Sequence, residues 1–296
     1  MQQSPAVALS GPRGSGKADL ARREFPGHRY LNMADTADRL RARRDPGGFL
    51  GSLRGAAVID EAQRAPELAL HLQHHRTGQW LLLSPVRLEL KGVPELHLFS
   101  PSLAERESRP LPSLEALARY RPPLKPPTTV RLETLLTTAS SASERDQEDD
   151  IRTLIGLHDA DRFHALVALA AGASGQVVDQ SVWARACGVT HTTIARWLWA
   201  LERSFRIALL PPHEETFGQR LVRRRKLYVL DPGLTPEAQR FAAWGVAEVM
   251  KSLAHAGQPL SLSHWMTATG LETGMVVGYE AGPVAVSFTR MPAAPR

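Results

Sequence analysis

The chain has 296 residues, 43% of them hydrophobic, and carries a formal net charge of +6 with a pI near 9.9. This is enough apolar material for a sizeable core shared among two or three domains, and the basic balance favours a polyanionic partner only where the charge clusters. No apolar run reaches the roughly 18 residues of a membrane span and no signal pattern precedes the first apolar run, so a cytoplasmic protein without a membrane partner is expected.

In chain order, Val7, Ala8 and Leu9 suit a buried strand, and Gly11-Pro12-Arg13-Gly14-Ser15-Gly16-Lys17 follows it before a helical pattern. Glycines let backbone N–H groups close around an anion, and a helix opening at Lys17 points its dipole at the same place, so the stretch reads as a phosphate-binding loop for ATP. A bare glycine-rich turn is the alternative. The pattern G-x-x-x-x-G-K-[ST] is met through Lys17 and fails at Ala18, where a hydroxyl would ligate Mg²⁺. Binding of a nucleotide is expected to survive that change better than hydrolysis.

Lys17 to Phe25 reads as a helix stopped by Pro26-Gly27, and His28 to Asn32 as a strand. Arg39, Arg41, Arg43 and Arg44 lie on a basic helical stretch that reads as a solvated face, with nucleic-acid contact the lesser alternative. Asp45-Pro46-Gly47-Gly48 is expected to be a turn. Gly55 to Glu61 is a small apolar run ending in two acids, the form of a central parallel strand with carboxylates at its C-terminal edge. In that reading Asp60 holds Mg²⁺ and Glu61 polarises the attacking water; an acidic helix start is the alternative. A helix is expected from Pro66 to Arg76, whose His71, His74 and His75 lack accompanying carboxylates or cysteines at ligand spacing and are not read as a metal site. Trp80 to Leu83 is a further buried strand ending at Ser84. The lone cysteine, Cys187, excludes an intrachain disulfide.

With G-P-R-x-x-G-K at Gly11 to Lys17, Leu31-Asn32, Asp45-Pro46 with Phe49-Leu50, and V-I-D-E-A-Q at Val58 to Gln63, the chain resembles the prokaryotic AAA-type ATPases. In those, a P-loop domain precedes a winged helix and a restriction-endonuclease-like domain of unknown function. The resemblance implies an α/β fold, a P-loop NTPase parallel sheet flanked by helices, then a helical and winged-helix domain and a truncated α+β C-terminal segment. It makes Asp60 and Glu61 a Walker B pair and places Ser84 at the end of the sensor strand. Leu103-Ala104-Glu105-Arg106 is similar to the family's Leu-Ala-Gly-Arg segment, which makes Arg106 a candidate γ-phosphate sensor or finger. Glu105 stands where the family has glycine.

The expected domains are residues 1–120 for the ATPase, 121–150 for a proline-rich and acidic linker, 151–231 for the helical and winged helix-turn-helix part, and 232–296 for the C-terminal segment. Val182, Ala186 and Val189, with Gly188 in a turn and Thr190 capping a helix that carries Ile194, Leu198 and Leu201, have helix-turn-helix spacing. His191, Thr192 and Arg196 would then face outward, and Arg220 with Arg223, Arg224, Arg225 and Lys226 would form a basic wing for double-stranded DNA. Packing on a protein partner or on the chain's own ATPase domain is the alternative. Met275-Val276-Val277 and Val284-Ala285-Val286 read as a closing pair of strands, and with neither an aspartate nor a Glu-x-Lys after Asp231 no nuclease centre is expected.

Two functions follow. The first is a nucleotide-binding protein, oligomeric or not, hydrolysing weakly or not at all, whose nucleotide state positions the winged helix. The second is a non-enzymatic interaction or DNA-binding protein in which the P-loop domain is vestigial.

Overall fold

The computed structural model describes residues 4–53, 55–72, 78–102, 105, 150–152, 154–156, 159–213, 222–279 and 282–288. They form two compact units: residues 1–100 with 141–156, and residues 101–140 with 157–296. The proline-rich and acidic linker, and Arg106 before it, lie outside the described residues.

The first unit is built on a five-stranded sheet in the order β2-β3-β4-β1-β5, with β1 Ala6–Ser10, β2 Arg29–Asn32, β3 Ala56–Asp60, β4 Gln79–Ser84 and β5 Glu95–His97. Every pairing is parallel. Alternation of side chains sorts the strands onto two faces. Ala6, Ala8, Ala57, Ile59, Trp80 and Leu82 pack beneath α2 Thr36–Arg44, α3 Pro46–Gly51 and α4 Pro66–Leu72 through Ala42, Phe49, Leu50, Leu68 and Leu72. Val7, Leu9, Val58, Leu81 and Leu83 face the other way, onto Ala21 of α1 Lys17–Glu24. A mixed α/β unit with a central parallel sheet covered on both faces results, consistent with a P-loop-like fold.

Local chemistry explains the departures from expectation. Asp45-Pro46-Gly47-Gly48 starts a helix instead of a turn: the Asp45 carboxylate accepts from Gly48 N at 2.9 Å, and Pro46 at the first position needs no donor. On α2, Asp35 caps the helix and the arginines are engaged locally, Arg39 with the Met33 and Ala34 carbonyls and Arg43 with Glu67.

In the second unit, α5 Ala160–Gly172, α6 Gln180–Cys187 and α7 His191–Arg203 are followed by an antiparallel pair, β6 Ile207–Leu210 with β7 Lys226–Val229. Asp179 caps α6, Gly188 ends it at φ 65°, and Thr190 caps α7 by accepting from Thr193 N. Phe163, Trp183, Ile194, Trp197, Leu198 and Leu201 are buried between these helices. Then come α8 Glu237–His255 and a sheet of β8 Leu262–Ser263, β9 Met275–Val277 and β10 Val284–Val286. This last sheet is tied to β7, since Tyr228 donates to Gly274 O at 2.6 Å and Lys226 Nζ to Glu272 at 2.8 Å. Gly245 and Gly274 both seat the Phe288 ring, which a Cβ on Gly245 would meet at 2.3 Å. No helix among the described residues is long and apolar enough to cross a membrane.

Candidate functional site

The C-terminal edge of the parallel sheet gathers the glycine-rich loop with Lys17, the Asp60-Glu61 pair and Ser84. Ser10 ends β1 beside Ser84 of β4 and His97 of β5, while Asp60 of β3 pairs in register with Asn32 of β2. The connection from β4 to β5 crosses over β1, which makes the C-terminal end of β1 the switch point of the sheet. The glycine-rich loop fills that position. Gly11 approaches β5 so closely that a Cβ would lie 1.8 Å from Leu98 O, and Gly14 and Gly16 take φ of 76° and 88°. Beyond Gly16 the space is open, with no atom within 4 Å of where its Cβ would stand.

Lys17, the first residue of α1, is 9% exposed and turns its Nζ into the loop, donating to Gly11 O at 2.7 Å, Pro12 O at 2.9 Å and Ser15 Oγ at 3.3 Å. Burial lowers its pKa from the ordinary 10.5 to about 8, against the pull of Asp60 and Glu61. Ala18 packs against the apolar face under α1, and Asp19 points outward, its side chain 90% exposed.

The two acids at the end of β3 are fully engaged by protein donors. Asp60 accepts from Tyr30 OH at 2.5 Å and from Glu61 N at 2.9 Å. Burial and that carboxylate hold the Tyr30 phenol well above its usual range, so it stays a donor. Glu61 sits in left-handed backbone at φ 54°, a conformation that costs a non-glycine residue on the order of 1–3 kcal/mol and that clusters at functional sites. Its carboxylate takes Gln63 Nε2 at 2.7 Å, Arg64 Nε at 3.1 Å and Arg13 Nη1 at 3.0 Å. Burial alone would raise the Glu61 pKa, but Arg13, Arg64 and Gln63 outweigh it and leave the group an anion. Gln63 connects onward to Ser84, whose Oγ lies 3.4 Å from Gln63 Oε1.

Arg13 links this cluster to Asp150, with Nε to Oδ2 at 2.7 Å and Nη2 to Oδ1 at 2.6 Å, a bidentate pair. Sequence reasoning missed Asp150, Tyr30, Gln63 and Arg64. Asp150 stands at the end of an acidic run without periodicity, and only the fold brings it to Arg13. Gln63 and Arg64 are at least adjacent to the two acids, where a short turn, Ala62–Arg64, folds them back.

These residues fit an anion with several phosphate oxygens: an open glycine loop, a helix start, Lys17 and Arg13. They fit a magnesium ion poorly. Ala18 has no oxygen to offer, both Asp60 oxygens already accept hydrogen bonds, and no group of three or more His, Cys, Asp and Glu residues is arranged to hold a metal among the described residues.

In the second unit, His191, Thr192 and Arg196 are exposed on α7, and one turn on Trp199 is 41% exposed with the Arg203 guanidinium 4.9 Å from its ring. Arg223, Arg224 and Arg225 are exposed at the start of β7. Arg224 pairs with Asp179, the cap of α6, and Arg225 with Glu202 at 3.3 Å. Lys226 departs from the expected patch. It is 2% exposed as the first residue of β7, a strand buried along its whole length, and is paired with Glu272. Arg220 lies outside the described residues. Glu105, where the resemblance has glycine, accepts from Ser102 N and Oγ.

The class that fold and site define is thus a parallel α/β unit with a phosphate-loop-like turn at the switch point of its sheet. Residues 131–243 match the model of a family described as Domain of unknown function (DUF8612). Two curated relatives, Uncharacterized protein Mb2031c of Mycobacterium bovis and Uncharacterized protein Rv2008c of Mycobacterium tuberculosis, are each 27% identical over 326 aligned positions, covering 98% of this chain and 71% of theirs. A solved structure, the Signal Transduction ATPase with Numerous Domains (STAND) protein with a tetratricopeptide repeat sensor PH0952 from Pyrococcus horikoshii, matches at 14% identity and a TM-score of 0.25. That match covers 86% of this chain and 43% of the other.

Proposed function

We propose that the chain is an ATP-binding protein of the AAA type, a very weak ATPase at most, whose nucleotide state is coupled to a winged helix that contacts duplex DNA. The observation that carries the nucleotide reading is Lys17 Nζ, buried in its own glycine loop at the sheet's C-terminal edge with the Asp60-Glu61 pair beside it. Gly11, Pro12, Arg13, Gly14, Ser15, Gly16 and Lys17 would hold the phosphates, with Ala18 leaving the Mg²⁺ site weakened and Asp60 as its one carboxylate. A titration of the chain with ATP, with and without Mg²⁺, tests this. Saturable binding that depends only modestly on Mg²⁺ is expected, and no saturable binding would leave the vestigial-scaffold reading in its place.

The lowered Lys17 pKa adds a pH signature. A triphosphate favours the charged amine, so binding takes up a proton once the free amine titrates. Affinity should hold below about pH 8 and fall roughly tenfold per unit above it, by isothermal titration between pH 7 and 10. Stability runs the opposite way. The folded pKa lies below the unfolded 10.5, so the unfolded chain binds more protons, and the destabilisation from charged Lys17 is relieved as pH rises from 8 to 10.5.

For the second unit, the exposed arginines favour a polyanion. If Arg196, Arg223, Arg224 and Arg225 meet phosphates, affinity for duplex DNA should fall steeply with salt, and each Arg→Ala should flatten the log–log slope by about one unit. Lys226→Ala should leave that slope alone and lower Tm instead, since it strips a buried ion pair. A salt-independent interaction would favour a protein partner.

A further inference from the structure

The Arg13–Asp150 pair is not needed to form a glycine loop, and it joins that loop to a residue far along the chain. Resting on the nucleotide-binding reading above, the geometry points to Arg13 as a switch that distinguishes a nucleoside triphosphate from a diphosphate by exchanging Asp150 for the third phosphate. Three features support this. Arg13 also lies 3.0 Å from Glu61, the residue expected beside the transferring phosphoryl group, so its guanidinium stands at the end of the loop where a third phosphate would arrive. Its planar fork suits a carboxylate and a phosphate equally well, which makes the exchange one of like for like. The side chain of Asp150 is 6% exposed, and burial holds its pKa above the ordinary value even beside Arg13. Once Arg13 turns to a phosphate, Asp150 becomes a buried carboxylate without its cation and close to added negative charge, so it must leave its seat or take a proton.

The consequence reaches along the chain. Asp150 and Ile151 belong to the first unit, as do the residues up to 156, while the chain from 157 onward belongs to the second. Loss of the Arg13 contact would free the last stretch of the first unit before α5, and would release Glu61 from one of its three donors. Triphosphate would then be read twice, as a freed carboxylate at the site and a freed segment at 150–156.

The test uses the full chain with ATP and ADP, each titrated calorimetrically, and hydrogen exchange of residues 150–156. Asp150→Asn should tighten ATP about tenfold and ADP little, because only the triphosphate must displace the carboxylate. Arg13→Ala, which removes one of the phosphate-holding side chains, should weaken ATP more than ADP and abolish the difference between the two nucleotides. In the unaltered chain, amides 150–156 should exchange faster with ATP than with ADP, a readout that needs no variant and so survives if a variant misfolds. Binding of both nucleotides that Lys17→Ala abolishes, together with equal affinities for Asp150→Asn and wild type and unchanged exchange, would overturn the switch and leave the phosphate-loop reading standing. A wild-type chain that binds neither nucleotide overturns both.

Discussion

Replacing Lys17 with Ala is expected to remove saturable nucleotide binding while leaving the fold in place. The amine is the buried cation of the loop, and truncating one partner of a desolvated charge contact costs on the order of 2–5 kcal/mol, so affinity should drop by roughly a hundredfold or more. Stability should respond far less. Charged Lys17 is held at a desolvation penalty that has already lowered its pKa to about 8, and its removal relieves that penalty while depriving Gly11 O, Pro12 O and Ser15 Oγ of a donor. The two terms oppose each other, so Tm near pH 7 should move by only a few degrees. Calorimetric titration and thermal unfolding on the same sample separate the outcomes. Unchanged affinity sinks the phosphate-loop assignment, whereas lost binding with a collapsed thermal transition would mean that the lysine is structural.

What could be read from the residues alone follows from how local each signal is. The strands β1, β3 and β4 are short continuous apolar runs because they are covered on both faces, and such runs are visible without any partner. The loop and the cap at Thr190 are equally local, each made by residues within a few positions of one another. β5 is hard to read because Glu95-Leu96-His97 is only three residues long and has no apolar run: it lies at the sheet's edge and leaves Leu96 59% exposed. The charged residues were the hardest to place. Lys226 sits in a run of four basic residues, and only its place as the first residue of the buried strand β7 takes it in toward Glu272 while the three arginines before it stay exposed. Tyr30 reaches Asp60 because β2 and β3 pair in parallel. Asp150 reaches Arg13 across 137 positions, a contact that no periodicity encodes.

If the chain binds ATP as proposed, the Ala18 position is expected to decide whether that nucleotide can be turned over. Asp19 does not interfere, because its carboxylate points into solvent and meets Arg22 at 4.0 Å. In the proposed ATPase the missing hydroxyl is the expected defect, since removing one preorganised contact to a transferring phosphoryl group typically costs about 10² to 10³ in rate. Ala18→Thr should therefore make ATP affinity depend on Mg²⁺ and raise Mg²⁺-dependent phosphate release up to about a hundredfold, with Glu61→Gln in that background removing the gain. The gain is expected at the lower end of that range, for reasons visible at the neighbouring carboxylates. Asp60 spends one oxygen on Tyr30 OH and the other on Glu61 N, and Glu61 holds Gln63, Arg64 and Arg13, so neither is at liberty until those donors give way. Tyr30→Phe added to Ala18→Thr should raise the rate further by freeing Asp60 Oδ2 for the metal. A double variant whose ATP affinity responds to Mg²⁺ but whose rate stays flat would shift the block from the loop to the ion pairs around Glu61. One that gains neither would show that the hydroxyl was never the limiting lesion.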